Sequence, residues 1–214
     1  MEEKLCGFLT GKEINEQVRS ILGQEDNKVE AVSCRLHLGD EVYVSGEDCP
    51  KYLSENDPHV SLPRGQFALL LTRESINMPK NLFGLISIRM GKKEQGLINI
   101  SGFHVAPGFK GKLIFSVFNA GPTDVVLRYG DDMFVMFLYR LHHEAPLENT
   151  SETHEGQEHL PVHIVTSLKG TSASLADVDK RVGRLEVTIR ILELLLIAAA
   201  IAVLAVFLRD AFGG

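Results

Sequence analysis

The chain is short of cysteine, with only Cys6, Cys34 and Cys49 in 214 residues. An odd number of thiols, in a chain long enough to build a core, reads as reduced cysteine in a cytosolic domain rather than as a disulfide framework. It also lacks a basic excess, and its net charge of -6 argues against nucleic acid as the main partner. The opening Met1-Glu2-Glu3-Lys4 has no basic-then-apolar pattern, so nothing suggests secretion of the main domain. There is no phosphate-cradling Gly-x-x-x-x-Gly-Lys and no His-x-Glu with a cysteine pair, which excludes a P-loop and a zinc deaminase. His142, His143, His154, His159 and His163 fall mostly in a polar stretch without cysteine or helical spacing, so no metal site is expected. No internal repeat is present.

Long apolar runs are missing too, with one exception. From Leu194 to Leu208 no residue is charged or polar, and residues 191–208 form a run of about 18, roughly 27 Å as a helix. That length predicts a single membrane span with lipid as a partner. Lys180, Arg181, Arg184 and Arg190 precede the run and only Arg209 follows it, which places the N-terminal domain in the cytoplasm. Upstream, Leu175, Val178, Val182, Leu185, Ile189, Leu192 and Leu196 recur at three and four residues, the spacing of a heptad seam. The expected order is therefore a β domain over 1–143, a polar linker over 144–174, a coiled-coil neck over 175–190 and the span over 191–208. Val182 and Ile189 at a, with Leu185 and Leu192 at d, point to two strands.

The main domain changes texture at Val29. Before it, Thr10 and Glu13 make a capping box, followed by Ile14, Val18 and Leu22 on one helical face and Gly23 as a stop. After it come short apolar or alternating runs over 35–38, 42–44, 67–72, 83–89, 97–100, 112–118, 125–128 and 133–139. Turn markers such as Gly39-Asp40, Pro63-Arg64-Gly65, Pro107-Gly108 and Gly130-Asp131-Asp132 separate them. Many short strands at close spacing predict an all-β sandwich, jelly roll or barrel with one short N-terminal helix. Residues 144–174 are polar apart from Leu160 to Val165, a piece that could dock in extended form.

The most distinctive stretch runs from Gly96 through Ser101-Gly102-Phe103-His104-Val105-Ala106-Pro107-Gly108-Phe109 to Asn119 and Pro122. Two strands flank a glycine-bearing turn. It resembles the hairpin of the dCTP deaminase and trimeric dUTPase superfamily. The likeness extends to Leu9 to Ile14, Ser33 to Gly39, Pro63 to Glu74 with Pro79, and Leu127-Arg128-x-Gly130, covering roughly residues 9–141. The resemblance implies a dUTPase-like β-clip, a distorted jelly-roll barrel, assembled as a homotrimer with nucleotide pockets between subunits. It implies binding through Arg89, Lys92, Ser101, Gly102, Phe103 and His104. No cofactor is certain, although Mg could accompany a bound triphosphate.

The departures bear on chemistry. Ala106 stands where the dUTPase hairpin has an Asp, and Ser116 stands about where the deaminases have a proton-transferring Glu. A serine without a partner base cannot shuttle a proton at neutral pH. Ile88-Arg89-Met90-Gly91 keeps one Arg of a Gly-Arg-Ser-Ser phosphate grip and loses both hydroxyls, and Glu94 replaces a following Arg. Three readings remain open. A catalytically silent, membrane-anchored nucleotide sensor is favoured. An active dCTP deaminase or dUTP pyrophosphatase with a rearranged set would make Glu94 the catalytic candidate. A purely structural membrane assembly is the third.

Overall fold

The computed structural model describes residues 6–23, 29–144, 157–168 and 175–212, the last with side chains over 181–201. The chain divides into two units, 1–172 and 173–214.

The first unit is mostly β. Its strands are β1 (Gly7–Phe8), β2 (Cys34–Val44), β3 (Lys51–Tyr52), β4 (His59–Leu62), β5 (Phe67–Asn77), β6 (Leu82–Ile88), β7 (Leu97–Ser101), β8 (His104–Val105), β9 (Lys110–Asn119), β10 (Val125–Arg128) and β11 (Asp132–Arg140). The helices are α1 (Gly11–Leu22), α2 (Met90–Lys93) and α3 (Val162–Leu168). The strands pair antiparallel in the order β7-β9-β5-β2-β11-β6-β8, with β1 added to β11 and β3 to β2, while β4 and β10 form a separate pair. Strands β9 and β11 are three places apart, about 14 Å across a flat sheet. Yet Phe115 of β9 and Phe134 of β11 stack with ring centroids 3.7 Å apart. The sheet is therefore curled, and these buried rings bridge its interior.

Alternation explains the curl. In β9, Gly111, Leu113, Phe115, Val117 and Asn119 are buried while the residues between them are not. The inward set joins Leu36, Leu38, Leu70, Ile86 and Met136 in one core. Two bulges bend the long strands, in β2 between Leu38 and Val42 and in β5 between Leu71 and Ser75. Gly39-Asp40, expected as a turn, lies within the continuous β2 instead. A Cβ on Gly39 would sit 2.6 Å from the Thr72 carbonyl oxygen, so the glycine serves a close strand crossing rather than a chain reversal.

Helix α1 packs Ile14, Val18, Ile21 and Leu22 against the sheet and ends at Gly23 in the left-handed region (φ 62). The expected capping box does not form. Thr10 occupies the N-cap with extended backbone but makes no side-chain cap bond. Glu13 is taken instead by Arg140, a short contact that ties the helix to β11.

Part of the polar stretch after the barrel is docked on it. Gln157 bridges Lys112 of β9, and the segment continues into α3, a helix where an extended piece was expected. Leu160 and Val165 are buried in a second, smaller core with Tyr43, Leu69 and Leu71. Burial of these two side chains contributes about 3–5 kcal/mol toward the entropy cost of ordering the strap. The buried Glu41 carboxylate adds a polar anchor, accepting from the Leu160 N–H at 3.0 Å and facing His159 Nδ1 at 3.2 Å.

The second unit is one uninterrupted helix, α4 (Leu175–Phe212). The seam residues Val182, Leu185, Ile189, Leu192 and Leu196 are all exposed on it. Among the described residues no helix is long and apolar enough to cross a membrane. This overturns the expected single-pass localisation and leaves the span over 191–208 and lipid as a partner without support. Residues 184–201, the last 18 with described side chains, carry Arg184, Glu186, Arg190 and Glu193, and the side chains of 202–208 lie outside the described residues.

Candidate functional site

The hairpin singled out in the sequence forms one wall of a cavity of about 350 Å³ on the outward face of β9. Ser101, Gly102, His104 and Phe109 come from the hairpin, Lys112, Ile114 and Ser116 from β9, and Gln157 and Ile164 from the strap. A bulge in β7 sets this up. Asn99 pairs with Val117, but Ser101 pairs with Ser116, so one extra residue on β7 throws Ser101 onto the opposite face. There Ser101 Oγ donates to Ser116 Oγ at 2.7 Å. Gly102 turns the chain at φ +82, and a Cβ there would lie 2.6 Å from the Phe115 ring. Only glycine satisfies both the backbone and the contact.

Beyond Gly102, β8 pairs with β6, and the His104 ring stacks on Phe83 with centroids 5.6 Å apart. The Ala106-Pro107-Gly108 turn is fastened by bonds between Met78 and Gly108 and between Met78 and Phe109. Lys112 reaches Asp40 at 3.3 Å. Among the described residues that line the cavity there is no carboxylate, and His104 and Lys112 are the titratable groups. Such a site offers hydroxyls, backbone groups, an imidazole and one ammonium to a polar planar ligand.

The other expected binding residues lie elsewhere. Arg89 Nη1 pairs with Asp132 Oδ2 at 2.7 Å, and Lys92 pairs with Asp131 at 2.8 Å. Phe103 lines a separate cavity of about 460 Å³, together with Ile86 and Ile88 of β6 and Leu97 and Ile98 of β7. Glu94 caps the C-terminal end of α2 and is exposed. Ala106 presents no polar side chain. His142 and His143 contact each other with ring centroids 4.3 Å apart.

Sequence reasoning missed an ion cluster around Asp132. It takes Arg35 in a short contact, Arg89, and His37 Nε2 at 2.9 Å. On its other side the His37 ring meets the fully buried Glu74 carboxylate, which also accepts the His37 backbone N–H at 2.9 Å. The hydrogen bond to Glu74 raises the His37 pKa above its ordinary 6.5 despite partial burial. Burial alone would raise the Asp132 carboxyl, but the Arg35 hydrogen bond and the charges of His37, Arg35 and Arg89 hold it below its ordinary value. Cys34, beneath the cluster, is pushed up to about 12 by burial, which makes it an inert thiol. The available signal was Arg35 and His37 on one face of a strand, unusual beside Cys34, Leu36 and Leu38.

A curled, mostly β sheet with a glycine-bearing hairpin beside a largely apolar cavity defines a fold class, that of the dCTP deaminases. A crystal structure of dCTP deaminase from Agrobacterium tumefaciens superposes with a TM-score of 0.51 at 14% identity, covering 63% of this chain and 48% of that one. That likeness concerns the fold alone and spans about half of the neighbour. The sequence profile of the family described as dCTP deaminase-like matches residues 8–141. The dCTP deaminase of Thermococcus kodakarensis is 34% identical over 127 residues, 58% of this chain and 77% of its own length. That of Pyrococcus abyssi is 32% identical over 115 residues, 53% and 70% respectively. The chain belongs to the dCTP deaminase-like family.

Proposed function

We propose that the chain binds a nucleotide in the hairpin cavity and does not convert dCTP or dUTP at a useful rate. One observation carries this reading: the cavity wall holds a Ser101–Ser116 hydroxyl pair, and among the described residues no carboxylate lines the space. Both deamination of a cytosine ring and hydrolysis of a phosphoanhydride require water to lose a proton as it attacks. A positioned base typically supplies about 10²–10⁴-fold for that transfer, and a hydroxyl pair at neutral pH does not. Binding asks less, because hairpin backbone groups and hydroxyls can hold a base. Arg89 Nη1 is committed to Asp132, but the rest of its planar fork has no partner among the described residues and suits a phosphate.

The resemblance further implies a homotrimer, in which Arg89 of one copy would serve the cavity of the next. Light scattering on the purified chain tests this, and a monomer at micromolar concentration would contradict it. Titration with dCTP and dUTP, with product assays in parallel, tests the binding reading: saturable binding without product supports it. A second reading, an active enzyme, is favoured by His104, whose imidazole lines the cavity and could act as the base. It predicts steady turnover that His104→Ala removes.

A further inference from the structure

Five apolar side chains of α4 lack cover among the described residues. Val182, Leu185, Ile189, Leu192 and Leu196 are all exposed on this helix of 38 residues. They recur at three and four residues, so they form one stripe along the helix. A helix gains most of its stability by burying such a stripe, and Gly183 weakens this one taken alone. In the two heptads whose side chains are described, the β-branched Val182 and Ile189 hold position a, and Leu185 and Leu192 hold position d. Arg181 then falls at g and Glu186 at the following e. Both are exposed, and neither has an ion-pair partner among the described residues. Five residues apart, they point away from each other on one helix and cannot pair within it.

We infer that α4 is an interaction surface for α4 of a second copy of this chain, packed parallel and in register as a two-stranded coil. Charge selects the direction. In a parallel pair, position g of one helix faces the following e of the other, so Arg181 meets Glu186 of the partner subunit, twice by symmetry. In an antiparallel pair e faces e, which would bring the carboxylates of Glu186 and Glu193 against their own kind. Shape selects the number, because β-branched residues at a with leucine at d fit two strands. A lipid surface would cover the stripe but would leave the order of Arg181 and Glu186 without a role. The contact rests on α4 alone and stands whether or not the hairpin cavity takes a nucleotide.

The test is disulfide trapping in the purified full chain, with the exposed Cys6 and Cys49 replaced by serine and a thiol introduced at a d position by Leu185→Cys. Under mild oxidation at micromolar concentration, essentially all of the chain should become a covalent dimer. Val187→Cys, at the outer f position, should give almost none. In a glutathione buffer the disulfide fraction reports the effective concentration of the two thiols. Arg181→Glu should lower it about tenfold, because two attractive pairs become repulsive, and adding Glu186→Arg should restore it. The trapping is repeated with phosphatidylcholine vesicles, which offer the stripe a lipid surface. No dimer from Leu185→Cys, equal yields from Leu185→Cys and Val187→Cys, or a charge-swapped double variant that recovers nothing overturns the inference. A third of the chain left unlinked at completion would mean three strands, and a dimer lost on adding vesicles would mean that lipid covers the stripe. Either result overturns it as well.

Discussion

The ion cluster around Asp132 and the hairpin cavity around Ser116 share one curled sheet and handle polar groups in opposite ways. In the cluster each charge is committed: Arg35, His37 and Arg89 face Glu30, Glu74 and Asp132. In the cavity the central polar groups are neutral hydroxyls that bond to each other. The difference separates structure from chemistry. A fully partnered carboxylate such as Glu74 stabilises a strand crossing but has no capacity left for a substrate proton. The hydroxyl pair of the cavity can hold a ligand but does not move a proton at neutral pH, which leaves His104 as the group to test there.

The sharpest way to break that comparison is to remove Glu74. Its carboxylate is fully buried and holds both the ring and the backbone of His37. Glu74→Ala strips the buried partner from His37 Nδ1 and from its backbone N–H, leaving only Asp132 on the far side of the ring, and we expect a loss of about 3–5 kcal/mol in urea unfolding. A loss below about 1 kcal/mol would mean that the cluster is not structural. In the cavity, the largest effect on stability should come from Gly102→Ala. The new methyl meets the Phe115 ring at a positive φ, so about 1–3 kcal/mol is expected, with weaker nucleotide binding in the same titration.

The cluster also predicts a pH dependence. The folded-state pKa of His37 is raised, so its contribution is fully present below the unfolded value of 6.5 and is lost as pH rises through the higher folded value. The Asp132 pKa is lowered, so its contribution is present above the unfolded value and lost as pH falls through the folded one. Denaturation midpoints recorded on the alkaline side of 6.5 should fall, and His37→Gln should flatten that slope. An unchanged slope in the variant would show that the imidazole is not the group responsible. The smallest effect is expected from Arg89→Ala. Asp132 keeps Arg35 and His37, and Arg89 is a third exposed, so the stability cost should stay within about 1 kcal/mol. A larger loss of nucleotide affinity in that variant then reports contact with the ligand.

Much of the barrel was legible because its strands alternate. The β9 pattern from Leu113 to Phe118 and the hairpin glycines are local signals, and the family follows from them. What local reading missed was set by long-range contacts. Gly39 looked like a turn because its neighbour Thr72, across a strand crossing, is 33 positions away in the sequence. Glu13 looked like a cap because nothing nearby announces Arg140, 127 residues on. Asp132 looked like half of a turn pair, yet it begins β11 and gathers Arg35 and His37 from β2 and Arg89 from the junction between β6 and α2. The apolar tail suggested a bilayer span, but no helix among the described residues is long and apolar enough to cross a membrane. Asn99 reads as one polar residue in an alternating strand until the bulge reveals which face it occupies.

The central claim is that the hairpin cavity holds a nucleotide without acting on it. The direct measurement is to saturate the purified chain with dCTP, confirm occupancy by calorimetry, and follow ammonia and pyrophosphate release over many hours, repeating with dUTP. The account predicts full occupancy with product formation at the uncatalysed background. Steady release of either product, abolished by His104→Ala or by Glu94→Gln, would contradict it and make the chain an enzyme.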